Sequence, residues 1–335
     1  MSASAIIFGC EGTTLLADER ALFADVQPWG FILFARNLET DAQVKKLIAD
    51  LRQTVSHDPH IFVDEEGGRV SRLRALGGWI GPPAMTFIQA KAKTPDIIAA
   101  IRANYCAIGA RLAELGFTAD CAPVLDVPTD TADPIIGDRA FCVQPEQVAP
   151  LAQACLDGLN DAGIAGVIKH IPGHGRADVD SHLSLPIVTT KHAELSATDF
   201  VPFQALSYAK MAMTAHVVYS DIDPDHAATT SRKVIKQIIR GEIGFAGLLM
   251  SDDLEMKALP GTLQQRAEQS LAAGCDILLH CSGDFAAMQE LAKVVPTLCD
   301  FALERAKRAA PAGQSAKIGV DQAILAAQSA RALLG

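Results

Sequence analysis

The sequence predicts an α/β fold, a single-domain (β/α)8 TIM barrel with extra C-terminal helices, and three observations support that class. Eight short apolar runs are spread along 335 residues, stretches with helical periodicity lie between them, and the residue types capable of chemistry gather where the runs stop. Strands alternating with helices build a parallel sheet, and eight such units close into a barrel that carries its reactive groups at the C-terminal ends of the strands. The whole chain, 1–335, reads as one catalytic domain, with the barrel over about 5–298 and C-terminal helices over about 299–335.

The runs fall at 6–9, 31–34, 61–64, 118–122, 165–169, 211–216, 248–251 and 277–280. A short apolar run bounded by glycine or polar residues suits a strand buried on both faces. The first leads to Cys10-Glu-Gly12, the second to Ala35-Arg-Asn37, and the third directly into Asp64-Glu-Glu-Gly-Gly-Arg-Val-Ser-Arg72. The fourth gives Asp120-Cys-Ala-Pro-Val-Leu-Asp126 and a long connection to Gly137-Asp-Arg139. The sixth stops at Thr214-Ala-His216, the seventh at Ser251-Asp-Asp-Leu-Glu-Met256, and the eighth at His280-Cys-Ser-Gly283. Amphipathic spacing places helices over 41–56, 97–115, 145–162, 231–239 and 263–273, an outer ring packed on the sheet. Two more, at 285–297 and 321–334, follow the last strand, separated by the Ala/Pro/Gly-containing 309–313.

Composition narrows the function. A hydrophobic content of 49% with 20% charged residues describes a globular enzyme, and the net charge of −10, with no offsetting basic cluster, argues against a nucleic-acid partner. No stretch reaches the roughly 18 apolar residues of a membrane span, and the N-terminus lacks the basic and apolar regions of a signal peptide. Eight cysteines without CxxC pairs read as buried thiols of a reducing compartment. A cytoplasmic monomer with a small-molecule substrate, no membrane partner, no cofactor and no metal is the expectation.

The fifth run opens into the most informative stretch, Lys169-His-Ile-Pro-Gly-His-Gly175 followed by Asp180-Ser-His182. Two glycines, two prolines, three histidines and two aspartates between 170 and 186 suit a rim rather than a core, because unpaired polar groups taken out of water cost about 1–3 kcal/mol each. A histidine two residues after an aspartate can turn Nδ1–H onto that carboxylate, leaving Nε2 to exchange a proton near neutral pH. Across the mouth stand Asp252 and Asp253. Side chains alternate along a strand, so one of the pair reacts and the other is structural. A carboxylate facing an Asp-His dyad supplies the two groups that a two-step displacement needs. Asp64, Arg72, Arg139, Lys169 and His170 border the same mouth, a donor and acceptor set suited to a neutral ligand rich in hydroxyls.

These motifs, in this order, resemble the family 3 glycoside hydrolases, specifically the bacterial β-N-acetylglucosaminidases (β-N-acetylhexosaminidases). Asp64-Glu-Glu-Gly-Gly-Arg-Val-Ser-Arg72, Ala122-Pro-Val-Leu-Asp-Val127, Gly137-Asp-Arg139, the Lys169 motif with Asp180-Ser-His182, and Ser251-Asp-Asp-Leu-Glu-Met256 carry the resemblance, which runs from about residue 6 to 280. It implies that Asp252 is the nucleophile, His182 the general acid/base and Asp180 its orienting partner. It further implies that Asp64, Arg72, Arg139, Lys169 and His170 hold a terminal N-acetylglucosamine, in an enzyme of peptidoglycan recycling. Departures are small: Glu65 stands where Gln is frequent, and Ile171 where Phe is common.

Three other readings compete. His170, His174, Asp178 and His182 are metal-ligand types within one loop, which would make a metal-dependent barrel hydrolase. A dyad without fixed negative charge would also admit phosphate, giving a phosphorylase on the same sugar. A sugar-binding barrel without catalysis is the non-enzymatic alternative.

Overall fold

The computed structural model describes residues 3–90, 92–130, 132–181, 184–311 and 318–334. Eight parallel strands form the barrel: β1 Ser4–Phe8, β2 Pro28–Ile32, β3 His60–Val63, β4 Ala119–Asp120, β5 in two pieces, Ala165–Gly166 and Ile168–Ile171, β6 Met211–Thr214, β7 Leu248–Asp253 and β8 Ile277–His280. Hydrogen bonding runs from the first piece of β5 through β4, β3, β2, β1, β8, β7 and β6 to its second piece. The two ends of the sheet are therefore consecutive parts of one chain segment. Val167 joins them by donating its N–H to the carbonyls of Asp120 and Ala122, and the barrel is closed.

Alternation along the strands explains the unbroken apolar runs. Ile7, Phe62, Met211, Met213, Leu248, Met250, Ile277 and Leu279 fill the interior, while Ile6, Phe8, Ile61, Val63, Ala212, Leu249 and Leu278 pack outward in the larger core shared with the helices. Both faces are buried, so the runs are mostly apolar on both faces rather than alternating between apolar and polar, with polar exceptions such as Thr118, Asp120, Thr214 and His216 themselves buried.

The outer ring includes Asp41–Arg52, Thr94–Leu115, Pro145–Asp161 and Leu263–Ala273, close to the expected spans. The stretch expected at 231–239 is a π-helix over Val234–Glu242. The C-terminal end differs from expectation. Phe285–Ala292 and Val320–Ala332 are helical, but a third helix, Asp300–Ala309, stands between them. It buries Ala306 and Ala309 against the barrel interior, and the carbonyl of Ala309 lies 2.6 Å from His60 Nε2. Its buried face rests on alanines, Ala306 and Ala309, which mark a core position less plainly than larger apolar side chains do. Among the described residues no helix is long and apolar enough to cross a membrane.

Candidate active site

The C-terminal ends of the strands surround a cavity of about 340 Å³ lined by Asp64, Arg72, Arg139, Lys169, His170 and Asp252, six of the eight residues expected from sequence. Of the other two, Asp180 is outside the lining and its carbonyl accepts a hydrogen bond from Ser184 N–H, while His182 lies outside the described residues.

One ionic network fixes the wall beyond β3. Glu66, two residues after Asp64, is buried and receives Arg139 in a fork, Nε at 2.8 Å and Nη2 at 2.9 Å, and Lys169 Nζ at 2.6 Å. Lys169 Nζ reaches Asp64 Oδ1 at 3.0 Å, and Arg72 Nη2 reaches Asp64 Oδ2 at 3.2 Å. Burial would raise the Glu66 carboxyl, yet Arg139 and Lys169 hold it far below the usual carboxylate range. Burial would lower Lys169, yet Asp64 and Glu66 hold it above the usual lysine value. Lys169 is thus a fixed cation and a donor at neutral pH.

A second carboxylate organises the loop after β5. Asp126, fully buried, accepts His170 Nδ1–H at 2.7 Å through Oδ2, and its Oδ1 accepts the backbone N–H groups of His170 and His174 at 3.2 and 2.7 Å. With Nδ1 committed, Nε2 is the His170 nitrogen available to a ligand. His174 Nε2 contacts Ser181 Oγ at 3.0 Å, and burial together with His170 pushes the His174 imidazole down to about 4. Gly175 lies so close to the chain after β4 that a Cβ would sit 2.0 Å from the Val127 carbonyl oxygen, so the glycine is required for this approach.

The aspartate pair owes its geometry to a β-bulge. Met250 pairs with Ile277 but Asp253 with Leu279, so β7 carries one residue more than β8 across that interval. An extra residue bends a strand and re-aims its side chains. Ser251 Oγ takes the place of a ladder carbonyl by accepting Leu279 N–H at 2.9 Å. Both aspartates border the cavity, but Asp253 Oδ1 accepts the N–H groups of Glu255 and Cys281, both at 3.2 Å, while Asp252 Oδ1 accepts Asp253 N–H at 2.8 Å. Burial, reinforced by the Asp252 charge, pushes the Asp253 carboxyl up to about 6. Geometry thus gives the two carboxylates separate surroundings.

Glu66 and Asp126 were not singled out as site residues from sequence. The signals available were the period-two spacing from Asp64, which Glu66 shares, and the Pro-Val-Leu-Asp motif that contains Asp126. Phe34 was missed as well, and it stacks beside Arg72, whose guanidinium carbon lies 5.4 Å from the ring centroid.

A closed barrel with its charged and polar groups gathered at one mouth defines an enzyme of the (β/α)8 class. The chain belongs to glycosyl hydrolase family 3: residues 12–308 match the Glycosyl hydrolase family 3 N terminal domain, and the protein is a glycoside hydrolase. It is similar to a β-hexosaminidase of Pseudomonas aeruginosa, 38% identical over 296 residues covering 85% of this chain and 86% of the relative. A β-hexosaminidase of Pasteurella multocida is 39% identical over 286 residues, 83% and 80% of the two chains. Among solved structures, NagZ from Neisseria gonorrhoeae in complex with N-trifluoroacetyl-D-glucosamine superposes with a TM-score of 0.89 at 32% identity, covering 100% of this chain and 99% of that one.

Proposed function

We propose that this protein is a retaining β-N-acetylglucosaminidase that removes terminal non-reducing N-acetylglucosamine from peptidoglycan fragments in cytoplasmic cell-wall recycling, acting by double displacement through a covalent glycosyl-enzyme. The observation that carries the reading is the bulge in β7, which presents Asp252 to a cavity walled by the Asp64, Lys169 and Arg72 network. The names of the relatives supply the sugar class.

In this mechanism Asp252 attacks the anomeric carbon as the bond to the leaving oxygen breaks, and His182 gives that oxygen its proton. Water then attacks the same carbon, His182 takes a proton from it, and Asp252 departs, so that two inversions retain the β configuration. An imidazole with an ordinary value near 6.5 suits both proton transfers at neutral pH. Asp64, with its oxygens divided between Lys169 and Arg72, is positioned to accept hydrogen bonds from sugar hydroxyls, and Arg72, Arg139, Lys169 and His170 Nε2 are donors for the remaining oxygens.

The test is hydrolysis of aryl β-N-acetylglucosaminides by the wild type, His182→Ala and Asp252→Asn. With a poor leaving group the histidine variant should lose about 10²–10⁴-fold in kcat, the usual range for general acid catalysis. An activated phenol should restore part of that loss and none of the loss in the aspartate variant. Full turnover by Asp252→Asn, or equal losses for His182→Ala on both substrates, would overturn the assignment.

A further inference from the structure

Beneath the aspartate pair lies a histidine that the proposed reaction does not use. His216, just beyond β6, is fully buried, as are Thr214 and Thr229 beside it. Its Nε2 lies 2.9 Å from the carbonyl oxygen of Asp253, and its Nδ1 lies 2.7 Å from Thr229 Oγ1. Thr229 belongs to the 3-10 turn Ala228–Thr230, and its Oγ1 is 2.8 Å from Thr214 Oγ1 on β6.

The protons in this chain follow from the partners. A carbonyl oxygen only accepts, so His216 carries its proton on Nε2. Burial pushes the imidazole below its ordinary value, so it is neutral and its Nδ1 is an acceptor. The Thr229 hydroxyl therefore donates to Nδ1, the shorter of its contacts, since the alternative acceptor, the Ala215 carbonyl, is at 3.1 Å. Thr214 donates to Thr229 in turn. The relay from Thr214 through Thr229 and His216 ends on the carbonyl of the Asp253–Leu254 peptide, one peptide beyond the one that follows Asp252.

That peptide closes the bulge: the β7 and β8 pairing slips between Met250 and Asp253, and just beyond it Leu254 N–H returns to the Leu279 carbonyl at 3.0 Å. A bulged residue is left without its regular ladder partner, and its orientation depends on whatever else holds the backbone. Ser251 Oγ holds the bulge from the β8 side and His216 Nε2 holds it from the β6 side.

We infer that His216 is a positioning residue of this enzyme: by donating Nε2–H to the Asp253 carbonyl it fixes the bulge and thereby the angle at which Asp252 meets its substrate. The inference rests on Asp252 being the nucleophile. Displacing a reacting group by about 1 Å can cost on the order of 10²-fold in rate, so a single lost hydrogen bond at this point acts on turnover rather than on binding.

The experiment compares His216→Leu, which removes the donor, with His216→Gln, whose side-chain N–H can reach the same carbonyl, and Thr229→Val, which removes the proton that fixes the imidazole tautomer. Steady-state kinetics on an aryl β-N-acetylglucosaminide is paired with the rate at which a 5-fluoro glycosyl fluoride of N-acetylglucosamine forms a covalent adduct, read by intact-protein mass spectrometry. The leucine variant should lose about 10–100-fold in kcat with KM within about threefold, and adduct formation should slow by the same factor. His216→Gln should recover most of the loss, and Thr229→Val should fall between it and the leucine variant. Turnover by His216→Leu within threefold of wild type, or equal losses for leucine and glutamine, would overturn the inference. If the leucine variant does not fold, Thr229→Val decides, and unchanged kcat there overturns it. Asp252→Asn runs alongside: its inactivity together with a fully active His216→Leu removes this inference alone, whereas its activity removes the reading on which the inference rests.

Discussion

Glu66 anchors more of the mouth than any residue assigned from the motifs. Its two oxygens hold Arg139 and Lys169, and Lys169 in turn holds Asp64, so one buried carboxylate fixes the donors on one side of the cavity. Removing one partner of a buried ion pair leaves the others uncompensated and costs about 3–5 kcal/mol. Glu66→Gln should therefore lower the unfolding free energy measured by urea titration by that much at neutral pH and reduce kcat/KM. The pH dependence follows in sign: the folded value of Glu66 is depressed, so its contribution to stability is present above the unfolded value of about 4.3 and is lost as pH falls below it. The gap between wild type and variant should be widest near pH 7 and narrow under more acidic conditions. A gap that does not change between pH 7 and pH 3 would show that the Glu66 charge is not what holds the network.

At the scale of elements, the seventh strand is where regular structure gives way to function. Ser251 is buried, and its hydroxyl replaces a backbone acceptor for Leu279 N–H. Ser251→Ala leaves that buried N–H unpaired, at a cost of about 1–3 kcal/mol. Because the bulge also aims Asp252, kcat should fall in the same variant while KM changes little; a stability loss with unchanged kcat would separate the bulge from the chemistry. The strands were legible because both faces of each are buried and the apolar runs are unbroken. The bulge was not, because pairing of β7 with β8 is a register between segments far apart in sequence. The aspartate pair reflects the same limit: alternation along a strand said that Asp252 and Asp253 must differ in role, and the slipped pairing lets both border the cavity while tying Asp253 to the backbone N–H groups of Glu255 and Cys281.

Over the whole molecule, the two ends of the barrel have different duties. The mouth carries the charged groups, while Asp300–Ala309 closes the opposite end, held by Arg305 on Asp276 at 2.8 Å. The last helix, Val320–Ala332, lies beyond the stretch matching the family domain and packs Ala323 and Ala327 against Cys106, Ala107 and Ala110 of Thr94–Leu115. Truncation after Pro311 should lower Tm by several degrees, since a large domain loses about 2–4 °C per kcal/mol, and should leave kcat within about twofold. A larger loss of turnover would mean that this helix supports the mouth through Thr94–Leu115. The sequence by itself determined the eight strand-forming runs, the main helices and the motifs at the strand ends, because burial on two faces and helical periodicity are written into neighbouring residues. It also placed Asp64, Arg72, Arg139, Lys169, His170 and Asp252 at the rim of one barrel. Tertiary structure alone decided that Glu66 and Asp126 are the hubs of that rim, that Asp300–Ala309 plugs the far end, and that His216 reaches the backbone behind Asp252. Each of these depends on contacts between residues tens or hundreds of positions apart, and closure of the barrel is what brings them within a hydrogen bond of one another.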